Sequence, residues 1–326
     1  MNKDYKNSMD NLKISEDFKT NTKKLMKEAR TMTNKKSINK KILISAASLA
    51  IILTAGGTAY YNLAGSNPIL NDSLQIEDTN NAKSYTVPFI ELPKGESQGS
   101  KDMVGLFVYQ GRVYIQSNTK FAYGEDGMTP KKEDVLNLQG EYIGQTTGNI
   151  DEWSTQDDYA KEFASTIGVA KIYTVKGYDS TYRLMAYYEW DGGFGCEIYD
   201  SFGGLALKDG SDYFHILNLK GNISSLSYEN FNSWNNGLGN NSEVSQSAEF
   251  NHFLDALYES TPIGNDIDLL LETQVDDGQK FITITTKDNL KTTLRLVKGG
   301  YVYDSQIGFF KVADDVFQAF YNSLVN

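Results

Sequence analysis

The sequence predicts an α+β fold: mostly antiparallel β-sheet with a few packed helices, preceded by one transmembrane helix and a short helical segment. Three observations predict it. Short β-rich runs separated by turn signals fill the chain from about Val87 onward. The amphipathic helical faces in that region are few and do not alternate regularly with the strands. Ile42–Tyr61 is a run of twenty residues without Asp, Glu, Lys, Arg or His.

That run is long enough to span. At about 1.5 Å per residue a helix of twenty covers roughly 30 Å, the thickness of a bilayer's hydrocarbon core. A signal-peptide core is shorter, about 7–15 residues, and lies close to the start. Here about forty mostly polar residues precede the run, no small-x-small cleavage pattern follows it, and Tyr60 and Tyr61 stand where interfacial aromatics anchor a span. The expectation is a retained helix over 42–61.

Charge sets its direction. Residues 1–41 hold 12 Lys+Arg against 5 Asp+Glu, a net of +7. Of the chain's 31 and 42 that leaves 19 and 37 beyond them, a net of −18. Lys35, Lys36, Lys40 and Lys41 flank the run, so the N-terminus is expected in the cytoplasm and about 260 acidic residues outside it. So acidic an outer portion excludes direct nucleic-acid binding. Cys196 is the one cysteine, so no internal disulfide is possible, and the outer domain must be held by its core.

Residues 62–86, rich in Asn, Ser, Gly and Asp, read as a flexible linker. Residues 87–326 form the extracytoplasmic α+β domain. Leu106–Gln116 is a hairpin about Gln110-Gly111. LQGEYIGQT, KIYTVKGYDSTYRLMAYYEW and FHILNLKG have strand texture, and Phe281–Tyr303 adds two or three strands with turns at Lys287-Asp288-Asn289 and Gly299-Gly300. Ser154 opens a capping box with Asp157, followed by Tyr159 and Phe163 at i, i+4. Phe250, Phe253, Leu254, Leu257 and Tyr258 trace one amphipathic helix, ended by Thr261-Pro262. Val316, Phe317, Phe320, Tyr321 and Leu324 trace another. Gly148-Asn149-Ile150 and Gly221-Asn222-Ile223 echo one another, which leaves open one domain or two lobes split near residue 205.

Residues that carry chemistry are sparse. His215 and His252 belong to no metal or catalytic spacing and read as ordinary structural positions. Cys196 lies in WDGGFGCEIYD and reads as a buried or turn-adjacent thiol, with Gly192 to Gly195 and Gly203-Gly204 as turn punctuation. Asp151, Glu152, Asp157, Asp158, Glu189 and Asp191 are the acids a glycosidase would draw on, but spacing alone brings no two of them together. Asp276-Asp277-Gly278 lacks the alternating ligands of a calcium loop. No nucleophile elbow, phosphate loop or dinucleotide fingerprint occurs. The chain is expected not to be an enzyme, with no cofactor and no metal. Tyr173, Tyr178, Tyr182, Tyr187 and Tyr188 cluster; they either fill the core and cross-strand pairs or form a binding platform, and the first is favoured.

The first 41 residues divide into two short amphipathic helices. Tyr5, Met9 and Leu12 share one face. Ser15 then caps a second helix, with Glu16 and Asp17 in its first turn, Phe18, Thr22, Leu25 and Met26 on its apolar stripe, and Lys23, Lys24, Lys27 and Arg30 towards its end. Such helices are too short to form a core, so their apolar faces need lipid, each other or a protein.

The pattern Tyr5, Met9, Leu12, Ser15, Phe18-Lys19, Thr22 and Met26, then lysines and one span, resembles the N-termini of membrane-anchored anti-sigma-factor-like proteins of Gram-positive bacteria. GYDSTYRLM and LRLVKGGYVYD resemble the exported domains attached to such N-termini. The resemblance implies a single-pass regulator in the cell membrane. Its partner is an extracytoplasmic-function sigma factor held in the cytoplasm through Tyr5, Met9, Leu12, Phe18 and Leu25, and its outer domain senses an envelope signal. The histidine–cysteine zinc motif of some anti-sigma factors is absent. The alternative is a surface-anchored binding or structural module whose inner segment only sets topology.

Overall fold

The structure, a computed structural model, describes residues 84–90, 104–124, 129–151, 154–273 and 278–324. The expected span over 42–61, the inner helices and Asp276-Asp277 lie outside the described residues. Among the described residues no helix is long and apolar enough to cross a membrane.

The described chain is α+β, and its strands pair antiparallel throughout. In order it runs β1 (Tyr85–Thr86), β2 (Leu106–Tyr109), β3 (Arg112–Gln116), β4 (Lys120–Phe121), α1 (Lys132–Leu138), β5 (Gln139–Gln145), α2 (Gln156–Tyr159), β6 (Lys171–Val175), β7 (Arg183–Trp190) and β8 (Gly193–Asp200). There follow β9 (Ala206–Leu207), α3 (Ser211–Phe214), β10 (Ile223–Asn230), α4 (Phe231–Asn235), β11 (Ser242–Val244), α5 (Ala248–Tyr258) and β12 (Thr261–Gly264). The chain closes with α6 (Ile267–Thr273), β13 (Lys280–Thr286), β14 (Leu290–Val297), β15 (Tyr301–Asp304), β16 (Gly308–Lys311) and α7 (Asp314–Ser323).

Two sheets dominate. The six-stranded sheet has the order β2-β3-β8-β7-β6-β5, and the eight-stranded sheet has β11-β10-β13-β14-β15-β16-β12, with β4 also on β14. β14 divides one edge between two strands: Arg295–Val297 pair with β15, while Leu290 and Lys291 pair with β4. A third pair joins β1 to β9.

The hairpin at Leu106–Gln116 follows from its two-residue loop. Gln110 (φ 50°) and Gly111 (φ 70°) both take the left-handed conformation, which matches the right-handed twist of the flanking strands. In β14 every second residue from Leu290 to Leu296 is buried, so one face meets the core. Against that face lie α5 and α7. Phe250, Phe253, Leu254, Leu257 and Tyr258 are all buried, and Phe253 stacks on Phe320 of α7 with centroids 4.7 Å apart. Each such ring buried contributes roughly 1.5–3 kcal/mol. Ser247 caps α5 by accepting the Phe250 N–H. Lys280 caps the other end of α7, donating to the Tyr321 carbonyl at 2.7 Å.

The structure corrects several local expectations. FHILNLKG is not a strand: Phe214 ends α3 and the next residues turn, with Tyr213, Phe214, Leu217 and Leu219 pointing into the core. The capping box sits one residue later than Ser154. Asp158 accepts from both the N–H and the hydroxyl of Thr155, whereas Ser154 bonds back to Asp151. Phe163 lies beyond α2, at φ 59°. Tyr85 and Thr86, at the end of the expected linker, form β1. Gly193 and Gly195 belong to β8, and only Gly192 turns the hairpin. The Gly-Asn-Ile echo is local: both glycines take positive φ and both isoleucines are buried, but Ile223 opens a strand and Ile150 does not.

Candidate functional site

The chemistry of the described chain concentrates where β3, β7 and β8 meet the β15–β16 turn. Arg183 opens β7 and Asp200 ends β8, and the strand register sets them opposite each other. Arg183 Nε donates to Asp200 Oδ1 and Nη2 donates to Oδ2, both at 2.8 Å. Nη2 also donates to Thr119 Oγ1 at 2.9 Å, and the guanidinium lies 5.1 Å from the Tyr178 ring centre. Both charged side chains are buried, at 1% and 0% exposure. Burial alone lowers the guanidinium's pKa, but the adjacent Asp200 carboxylate outweighs it and the net direction is upward.

The segment between β3 and β4 carries this cluster across to the second sheet. Ser117 Oγ donates to Asp200 Oδ2. The Asn118 N–H donates to Gln306 Oε1, and its side-chain amide reaches Ser305 and Asp304. Thr119 Oγ1 shares a 2.9 Å hydrogen bond with Thr292 Oγ1 of β14. Asp304, which ends β15, is 1% exposed and accepts the Gln306 N–H at 2.8 Å. Burial pushes its carboxyl up to about 6; the Gln306 N–H and Tyr213 hydroxyl pull the other way, and the Asp200 charge adds to the rise. The Tyr213 phenol is itself pushed well up, by burial first and then by Asp304 and Asp200. The cluster is closed from solvent and joins the two sheets through hydrogen bonds and one ion pair.

The surface offers a different feature. An open groove of about 510 Å³ lies between the β7–β8 hairpin and the chain leading into α1, lined by Trp190, Gly193, Phe194, Thr129, Pro130 and Lys131. Trp190 is 60% exposed, and its indole lies across β8: a Cβ on Gly193 would run into it, and one on Gly195 would stand 3.3 Å away. The groove is open and shallow, walled by the Trp190 indole that packs over Gly193 and bordered by Lys131.

Tyr173 and Tyr187 belong to a row of rings, Tyr142, Tyr173, Tyr187 and Phe194, that crosses β5 to β8. Tyr178 covers Arg183, Tyr182 stacks on Phe202, and Tyr188 faces Tyr199. The cluster is core and cross-strand packing, while among the described residues the exposed aromatics are Phe89, Tyr123, Tyr142 and Trp190. Glu189 is held by Lys171 at 2.7 Å, and Asp158 by Thr155 and Lys161. Asp157 and Asp191 are exposed, and Glu152 lies outside the described residues. His215 follows α3 with its ring edge on Tyr258, and His252 is on the exposed side of α5. Cys196 is half-buried in β8, where burial raises its thiol pKa. Tyr5, Met9, Leu12, Phe18 and Leu25 lie outside the described residues.

Sequence reasoning did not find the Arg183, Asp200 and Asp304 cluster. One signal was present: Ile198-Tyr199-Asp200 and Val302-Tyr303-Asp304 both end buried strands on an acid, and Arg183 opens an apolar run. Comparison with protein-family models, curated proteins and solved structures gives no match to this chain.

Proposed function

We propose that the chain is a single-pass membrane regulator of the anti-sigma type. Residues 1–41 hold a sigma factor in the cytoplasm by laying Tyr5, Met9, Leu12, Phe18 and Leu25 into apolar grooves on it, and the α+β domain outside receives the signal. One observation carries this reading: a twenty-residue uncharged run divides a segment of net +7 from one of net −18. The amphipathic pattern before the run, and its resemblance to anti-sigma N-termini, supply the partner class. The domain beyond the run has its own large core.

The test is expression of sigma-dependent genes in cells carrying the Leu12→Ala, Phe18→Ala protein. Large apolar anchors in a helix–groove contact often cost more than about 2 kcal/mol each when truncated. Together they weaken binding roughly a thousandfold if the two costs add. Constitutive transcription is the expected result. Unchanged transcription with correct insertion returns the inner segment to a topogenic tail.

A surface-anchored binding module is the second reading, favoured by the groove beside Trp190. In that case Trp190→Ala abolishes ligand capture at the cell surface and leaves transcription untouched.

A further inference from the structure

Of two buried carboxyls in one seam, only Asp200 is paired with the buried cation. Asp200 takes both arms of the Arg183 fork, so the guanidinium's charge is already matched. Asp304 stands in the same polar seam at 1% exposure. Its Oδ1 accepts from the Gln306 N–H and, at 3.4 Å, from Asn118 Nδ2; its Oδ2 finds no donor within hydrogen-bond distance among the described residues. The buried Nε2 of Gln306 likewise finds no acceptor. An ionised carboxyl there is a buried charge with no cation of its own beside a second carboxylate, and the Gln306, Asn118 and Tyr213 donors offset this only in part, so the acid tends to keep its proton.

We propose that Asp304 is a proton-binding site that tightens the join between the two sheets when the surrounding medium turns acid. Among the described residues the groups that face it are few. Asp200 on β8 repels its charge, Tyr213 on α3 points its phenol at it, and Arg183 on β7 is occupied by Asp200. Tyr178, which caps the guanidinium, is bonded to Asp288 at 2.8 Å. Asn118, Ser305 and Gln306 around it are neutral. The two strand ends that meet here belong to different sheets, so a charge at Asp304 acts on the seam between them.

The sign follows from linkage. A carboxyl whose pKa is higher folded than unfolded binds its proton preferentially in the folded state. The added stability is full below the unfolded value of 3.8 and is lost as pH rises through about 6. Between pH 7.5 and pH 5 the folding equilibrium constant rises about tenfold on this account.

The experiment uses the full chain in detergent micelles. Trp153, Trp190 and Trp234 are its only tryptophans, so fluorescence during urea unfolding reports on residues beyond 150. The wild-type midpoint moves to higher urea at pH 5 than at pH 7.5, and in Asp304→Asn that gain is lost. An identical gain in the variant, or none in the wild type, overturns the proposal. Should the variant fail to fold, the ¹³C shift of the Asp304 carboxyl in the wild type decides: an inflection near pH 6 supports the site and one near pH 4 ends it. Residues 1–41 take no part in either measurement, so either outcome leaves the sigma-factor reading standing.

Discussion

Arg183 and Asp200 meet as two parallel forks, Nε to Oδ1 and Nη2 to Oδ2, inside a region where neither side chain is more than 1% exposed. Burying two charges is expensive, and the attraction between them repays it only because the remaining atoms also find partners. Here Ser117 and Thr119 supply them.

Removing one partner is therefore worse than removing both. Arg183→Met leaves Asp200 buried and unpaired and is expected to destabilise the domain by about 3–5 kcal/mol. Arg183→Met with Asp200→Leu is expected to lose less than the single change. Urea midpoints of the two variants check the order; a double variant weaker than the single one refutes it.

The α5–α7 contact responds to truncation. Phe253→Ala, at a side chain 1% exposed and stacked on Phe320, is expected to lower stability by about 3–5 kcal/mol, and Leu254→Ala by about 2–5 kcal/mol. Cys196 is the chain's one cysteine, so the wild-type melt is the same in reducing buffer. Calorimetry measures both, and an unchanged melting temperature in either variant disproves the packing.

Two glycines with positive φ separate strain from collision. At Gly111 (φ 70°) nothing stands within 4 Å of an added Cβ, so Gly111→Ala carries the conformational cost alone, roughly 1–2 kcal/mol. At Gly308 (φ 107°) the added Cβ would strike the backbone of Gly264 on β12. Gly308→Ala is expected to be distinctly the worse of the two by chemical denaturation; equal midpoints contradict the close approach of β16 and β12.

The membrane reading has its own measurement. Protease added to intact, wall-stripped cells is expected to degrade the region after Tyr61 and spare the first forty residues. A soluble secreted species starting soon after Ala59 rules out the retained span.

Local pattern made part of this fold legible. Phe250 to Tyr258 showed their face because helical periodicity is a property of neighbours, and Gln110-Gly111 showed its turn because only certain residues tolerate that backbone. FHILNLKG misled because a short apolar run fits a buried strand and a buried turn of helix equally well. The buried cluster left only a trace, acids closing two buried strands, and nothing in the sequence joined them. Asn118 and Asp304 are 186 residues apart, and no spacing rule reaches that far. Ser154 and Thr155 both fit a cap, and the choice depended on which of Asp157 and Asp158 turned back.

The strand β4 ties the order of synthesis to the order of folding. Residues 106–200 leave the ribosome first, and the strands of the six-stranded sheet are then complete. Phe121 and Thr119 must wait: their partners Leu290 and Thr292 follow some 170 residues later. Until then Phe121 lacks the strand it pairs with, Thr119 lacks Thr292 and Asn118 lacks Asp304, while Ser117 and Thr119 already meet Asp200 and Arg183. A chain stopped before about residue 290 leaves β4 without its partner strand, and an unpaired strand edge is prone to association. The strand β14 thus closes an edge that β4 presents some 170 residues earlier.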